Sequence, residues 1–201
     1  HPLAIAKYKQ ADKEVNRGLS KAEQEAKDRL IMAERVLAVN KTSPKTIKNV
    51  PKAFSVENST DIVNAIGSKE VNGVEDLTPQ GELLVRKAKD TYFDANRQVA
   101  KDLADEGIIG RQEEKELTAN NYAKFSPVSK RIMDSVEDRS GVGKAKQRAY
   151  DPIDAIKKGG SDEVLLETNS RLTMLEFYDK AYTAIAVNRA KRAMADFARS
   201  K

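Results

Sequence analysis

The amino-acid sequence predicts an all-α fold, an elongated helical domain with two or three long helices and short helices connecting them. Three observations predict it. Apolar residues recur at steps of three and four, the spacing of one helix face, as in Leu19, Ala22, Ala26, Leu30 and Ala33. Start and stop signals bracket a long segment, with Thr78-Pro79 before it and Gly107 after it. Charged residues make up 33% of the 201, above the usual quarter, as long solvated helices around a narrow core require.

The first helical stretch covers residues 3 to 39. Its stripe runs from Leu19 to Val36 or Leu37, and Gly18 with Ser20 marks a break between a shorter and a longer helix. Residues 40 to 58 read as a connector, because Pro44 and Pro51 remove backbone donors and restrict their predecessors. One turn of helix fits near Ala53. Ser59 or Thr60 is a candidate cap for a short helix over Asp61 to Ile66, ended by Gly67. Asn72-Gly73 signals a turn, and a hairpin through it is allowed, although no long β-rich run flanks it.

Thr78 caps the clearest helix, and Pro79 occupies its first position, where a missing donor costs nothing. Leu84, Ala88, Tyr92, Ala95, Val99 and Leu103 form its stripe. Gly107 ends it, and Ile108 and Ile109 are expected to fold back onto it before a short helix within "GIIGRQEEKELTANN". "NYAKFSP" reads as extended, with Tyr122 and Phe125 anchoring it to the core. Short helices are expected after Ser126-Pro127 and after Asp151-Pro152. A final helix is expected from Ser161 to Arg199, roughly 60 Å long at 1.5 Å per residue. Leu165, Leu172, Leu175, Tyr178, Tyr182, Ile185, Ala186, Ala193 and Phe197 mark its expected buried face. Residues 1–76 thus hold N-terminal helices and a connector. Residues 77–201 hold the helical core, packed between the helix from Pro79 to Glu106 and the final one, with the N-terminal helix alongside.

Composition excludes several chemistries. The chain has no cysteine and one histidine, His1, so disulfides, thiolate chemistry, Ser-His-Asp triads and histidine metal sites are not available. No catalytic, cofactor or metal site is expected. No window approaches the ~18 apolar residues of a membrane span, and no signal peptide is recognisable. Lys and Arg total 36 against 31 for Asp and Glu, a modest excess that permits nucleic-acid contact without requiring it. The chain opens on His-Pro and ends within a basic helical pattern, from which we expect a piece of a longer polypeptide.

The stretch "DRSGVGKAK" at 138–146 looks like a phosphate-cradling loop. It lacks the parts. Asp138 stands where the first glycine of that motif belongs, Ala145 replaces the magnesium-binding hydroxyl, and the preceding segment reads as helix rather than strand. A basic inter-helix loop at 139–148 is the better description, with Arg139, Lys144, Lys146 and Arg148 as candidate contacts for nucleic acid or a partner. Arg189, Lys191 and Arg192 at the basic end of the final helix are the other candidates, together with Arg199 and Lys201 against Asp196. They fall on different sides of a helix, and cations also suit a helix C-terminus. Glu113, Glu114 and Glu116 cluster beside Arg111 and Lys115 and read as a solvated face.

The order of "LTPQGELL", "ADEGIIGRQEEKELTANNYAKFSP", a basic loop and "YDPIDAIKKGGSDEVLLETNSRLTMLEFYDKAYTAIAVNRAKRAM" resembles a helical segment of the large polyvalent proteins of phages and mobile elements. Some of those are packaged in particles and enter the cell with the DNA. The resemblance covers about residues 77 to 195 and departs from the family pattern at Ala123-Lys124-Phe125. It carries no catalytic residue onto this chain. It implies a non-enzymatic module in particle assembly or DNA delivery, located in the virion or host cytoplasm. Its expected partners are other domains of the parent chain, other virion proteins, another copy through the long C-terminal helix, or DNA.

Overall fold

The computed structural model describes residues 1–42, 52–118 and 169–200. Among them are seven α-helices, one 3-10 turn at Lys52–Phe54 and no strand. The fold is all-α. The helices are α1 (Pro2–Val15), α2 (Lys21–Thr42), α3 (Val56–Ala65), α4 (Lys69–Asn72), α5 (Pro79–Asp105), α6 (Arg111–Thr118) and α7 (Ser170–Arg199). The basic loop 139–148, Tyr122, Phe125, Leu165 and the helices expected after Pro127 and Pro152 lie outside the described residues.

Local chemistry sets most boundaries. The break near Gly18 separates α1 from α2, and Ser20 with Glu23 closes a capping box over the start of α2. The Ser20 amide donates to Glu23 Oε2 at 2.7 Å, and the Glu23 amide to Ser20 Oγ at 3.2 Å. Thr78 Oγ1 accepts from the Gly81 amide at 3.0 Å, with Pro79 at the first position of α5 as expected. At the far end of α5 the Gly107 amide donates to the Ala104 carbonyl and the Ile108 amide to the Leu103 carbonyl, both at 2.9 Å. This paired closure needs a left-handed residue, and Gly107 sits at φ 67°. A Cβ there would also meet Arg192 Nη2 at 3.3 Å. Gly107→Ala should therefore cost about 1–2 kcal/mol, read as a lower urea midpoint at unchanged slope; a midpoint within error of the parent would refute this.

Three boundaries differ from expectation. Ser55, not Ser59 or Thr60, caps the short helix, accepting from the Asn58 amide at 3.1 Å. Ser59 and Thr60 lie inside α3 and donate backwards, to the Phe54 and Val56 carbonyls. Asn72-Gly73 forms no hairpin; it ends α4, with the Gly73 amide on the Lys69 carbonyl at 2.8 Å. The final helix begins at Ser170 rather than Ser161, because Asn169 is its cap and accepts from the Arg171 and Leu172 amides at 3.0 and 3.2 Å.

Two apolar clusters form the core. One gathers α2 and α3, with Leu30, Val36, Phe54, Ile62 and Ile66 around Val85 of α5. The other gathers α1, the second half of α5 and α7, with Val15, Tyr92, Leu103, Met174, Tyr178 and Ile185. α5 spans both, about 40 Å at 1.5 Å per residue. Ile109 folds back onto the second cluster and is buried, and Ile108 packs beside it, as the sequence suggested.

The expected pairing of α5 with the final helix is present, but α1 covers more of α7 than α5 does. α1 runs antiparallel to α7, with Tyr8 edge-on to Tyr178 at 6.5 Å. α5 runs parallel to α7, joined by Tyr92 Oη to Thr173 Oγ1 at 3.2 Å and Tyr182 Oη to Asp102 Oδ2 at 2.6 Å. The buried face of α7 is accordingly Ser170, Thr173, Met174, Phe177, Tyr178, Ala181, Tyr182 and Ile185. Leu172, Leu175 and Phe197, expected inside, are exposed at 41%, 38% and 63%.

Candidate functional site

α7 carries every candidate contact residue that the described part of the chain contains. Its buried face runs out at Ile185, and every residue from Arg189 to Ser200 is exposed. The end of α5 lies beside that transition. The last carbonyls of a helix have no partner within it, and α7 supplies partners. Asn188 Nδ2 and Arg192 Nη2 donate to the Glu106 carbonyl at 2.8 and 2.5 Å. Arg189 donates through Nε and Nη2 to Glu106 Oε1 at 2.8 and 2.5 Å. Arg192 Nη1 lies 3.7 Å from Glu106 Oε2.

Two of the four described basic candidates, Arg189 and Arg192, thus cap the C-terminus of α5 rather than face outward as a pair, while Arg199 is exposed near the end of α7. Their cations suit that end of the α5 dipole, and the hydrogen bond to Glu106 raises the Arg189 pKa further. Water screens both guanidinium groups, which are more than half exposed, so this contact orients α7 more than it stabilises it. Lys191, exposed, falls on another side of the helix. Arg139, Lys144, Lys146 and Arg148 lie outside the described residues.

Beyond Arg192 the helix continues to Arg199, about 10 Å at 1.5 Å per residue. Five of the eight large apolar side chains exposed among the described residues belong to α7. Val187, Met194 and Phe197, at 48%, 72% and 63% exposure, lie with Ala190 within an arc of about 80° at 100° per residue. That arc is roughly opposite the face buried against α1 and α5. The end of α7 is therefore two-sided, with cations turned toward Glu106 and an apolar stripe turned outward.

A second polar assembly anchors the other end of α7. Lys27 is wholly buried at the junction of α1, α2 and α7. Its ammonium donates to Asn16 Oδ1 at 2.5 Å and lies 3.3 Å from Asp28 Oδ1. Asp28 Oδ1 accepts from Ser170 Oγ at 2.5 Å. Arg171 donates through Nε and Nη2 to the two oxygens of Asp12 at 2.8 and 2.6 Å. Burial pushes the Lys27 pKa down and the Asp28 pKa up, in each case against the attraction of the other. Each of these side chains has a partner within the group, so the assembly acts as a joint that sets where α7 begins.

This joint was not foreseen from the sequence. Lys27 stands four residues before the buried Ile31 and beside the buried Ala26, so its position falls within the apolar stripe. Its charge argued for a solvated face instead. Among the described residues, no group of three or more His, Cys, Asp or Glu side chains is placed to hold a metal ion. No described helix is long and apolar enough to cross a membrane. Comparison with protein-family models, curated proteins and solved structures returns no match for the chain.

Proposed function

We propose that the chain is a non-catalytic helical interaction module whose contact element is the projecting end of α7. The observation that carries this reading is the outward apolar stripe, with Met194 72% exposed, on a helix whose opposite face is held to α1 and α5. Apolar side chains gathered on one exposed face favour burial against something else. A place in a large multi-domain phage-type protein, in particle assembly or DNA delivery, is supported by the sequence resemblance over residues 77 to 195. Its partners are then other domains of that protein or other virion proteins.

The second reading is a nucleic-acid-binding domain. It is favoured by the basic residues at 139–148 and by Lys191 and Arg199 on α7. Titration with duplex and single-stranded DNA at several salt concentrations separates the two. The expected result is no micromolar binding near physiological salt. Micromolar binding that falls steeply with salt, and that charge reversal of Arg139, Lys144 and Arg148 removes, would establish the second reading instead.

A contact element contributes little to its own fold. A chain truncated after Arg192 should therefore keep its melting temperature within about 2 °C, since exposed surface changes rarely exceed ±0.5 kcal/mol. A much larger drop would show that residues 193–200 belong to the core, and the reading would fall.

A further inference from the structure

Taking the end of α7 as a contact element, we propose that its outward stripe pairs with an amphipathic helix of a partner protein that is acidic beside its apolar seam. Val187, Ala190, Met194 and Phe197 are spaced by three, four and three residues. That is the alternation by which two helices interlock along a shared seam. Ala186, Ala193 and Ala198 flank the stripe, and small flanking side chains let a second helix approach closely. The seam fits a helix in shape and polarity.

Charge selects which helix. Between Val187 and Ser200 the arm carries Arg189, Lys191, Arg192 and Arg199 against Asp196, and with Arg189 and Arg192 turned to Glu106 the cation left beside the stripe is Lys191. Lys191 stands nearest the edge of the stripe. A second copy of the chain would bring a second Lys191 to the rim of the same seam, cation against cation. An acidic helix is drawn to it, and its carboxylates reach Lys191 from the rim. The stripe is short, about 15 Å from Val187 to Phe197 at 1.5 Å per residue. It falls below the roughly 1,200 Å² of a stable interface, so the attraction decides which partner stays. Nucleic acid fits less well, because the apolar side chains would face a charged backbone while Arg189 and Arg192 are turned toward Glu106.

The test uses the whole chain and a fluorescent synthetic helix of about three heptads, Leu at the seam and Glu beside it, followed by anisotropy. The expected dissociation constant is on the order of 10 µM at low salt, weaker by several-fold at high salt. A peptide with Lys in place of each Glu should bind at least tenfold more weakly. Met194→Gln should weaken binding of the acidic peptide about tenfold and Lys191→Glu several-fold. Leu83→Gln, at a 62% exposed position on α5, should leave it unchanged. Circular dichroism checks that each variant keeps its helix content.

No binding of the acidic peptide, or equal binding of the basic one, overturns the proposal. Sedimentation of the chain alone and the DNA titration then say how much falls with it. A dimer, or a DNA complex, that Met194→Gln dissolves would keep the contact element and replace its occupant. If Met194→Gln alters none of the three, the contact-element reading falls as well.

Discussion

Tyr92→Ala should lower the unfolding free energy by about 3–5 kcal/mol, the usual cost of deleting a large core ring. Tyr92 is fully buried on α5, its ring edge-on to Phe93 at 5.7 Å, and its hydroxyl reaches Thr173 on α7. Deleting the ring opens a void in the cluster shared by α1, α5 and α7. The measurement is urea unfolding followed by helix signal. With slopes of roughly 1–3 kcal/mol per molar urea, the midpoint should fall by more than 1 M. Tyr92→Phe separates ring from hydroxyl. Thr173 Oγ1 also donates to the Ser170 carbonyl at 3.0 Å, so losing the tyrosine hydroxyl should cost only about 1 kcal/mol. Equal losses in the two variants would show that the hydrogen bond, not the packing, joins α5 to α7.

Four residues further along the same face, the opposite sign is expected. Asn96 is 6% exposed, and its Oδ1 and Nδ2, both buried, have no hydrogen-bonding partner among the described residues. An amide taken out of water without replacement bonds costs roughly 1–3 kcal/mol. Asn96→Ala removes that cost and puts a better helix former in mid-helix, a gain of up to about 0.7 kcal/mol. Some packing is lost with the side chain. The net expectation is a gain of about 1–2 kcal/mol, or roughly 2–8 °C in melting temperature for a chain of this size. A destabilised variant would mean that Asn96 is satisfied in solution by a bound water, and that the amide belongs to the core as a polar centre.

These two positions also show where sequence reading succeeds and where it stops. Tyr92 stood in the expected stripe of α5, and Thr78, Pro79 and Gly107 marked that helix correctly, because caps and closures are set by residues within a few positions. Asn96 looked like any solvated amide. From the sequence Ser59 and Thr60 read as caps and Ser55 is passed over, although all three carry a hydroxyl near the start of the helix; the direction of their bonds is what distinguishes them. In α7 the apolar residues fill two faces, Leu172 and Val187 on one and Met174 and Ile185 on the other. Periodicity alone could not choose between them. The choice came from α1, whose Tyr8 ring meets Tyr178 and whose Ala4, Ala11 and Val15 share one apolar cluster with Phe177 and Ile185, and from the hydroxyls of Ser170 and Thr173, which found partners on α2 and α5. The Lys27 joint depends wholly on three helices meeting in space. The cations of α7 were visible as residues, but their use in closing α5 depends on where α5 ends.

The parallel course of α5 and α7 has a mechanical consequence. The cross-ties between them are spread along the pair, from Tyr92–Thr173 through Tyr178 on the Ala95 carbonyl and Tyr182–Asp102 to the grip on Glu106. Tension drawn along α7 from Ser200 would load all of them in shear, and they would have to give way together. A force pulling the same end sideways would meet them singly, peeling first Glu106, then Asp102, then the aromatic ties. An arm that engages a partner moving along its axis would hold far longer than one pulled across it.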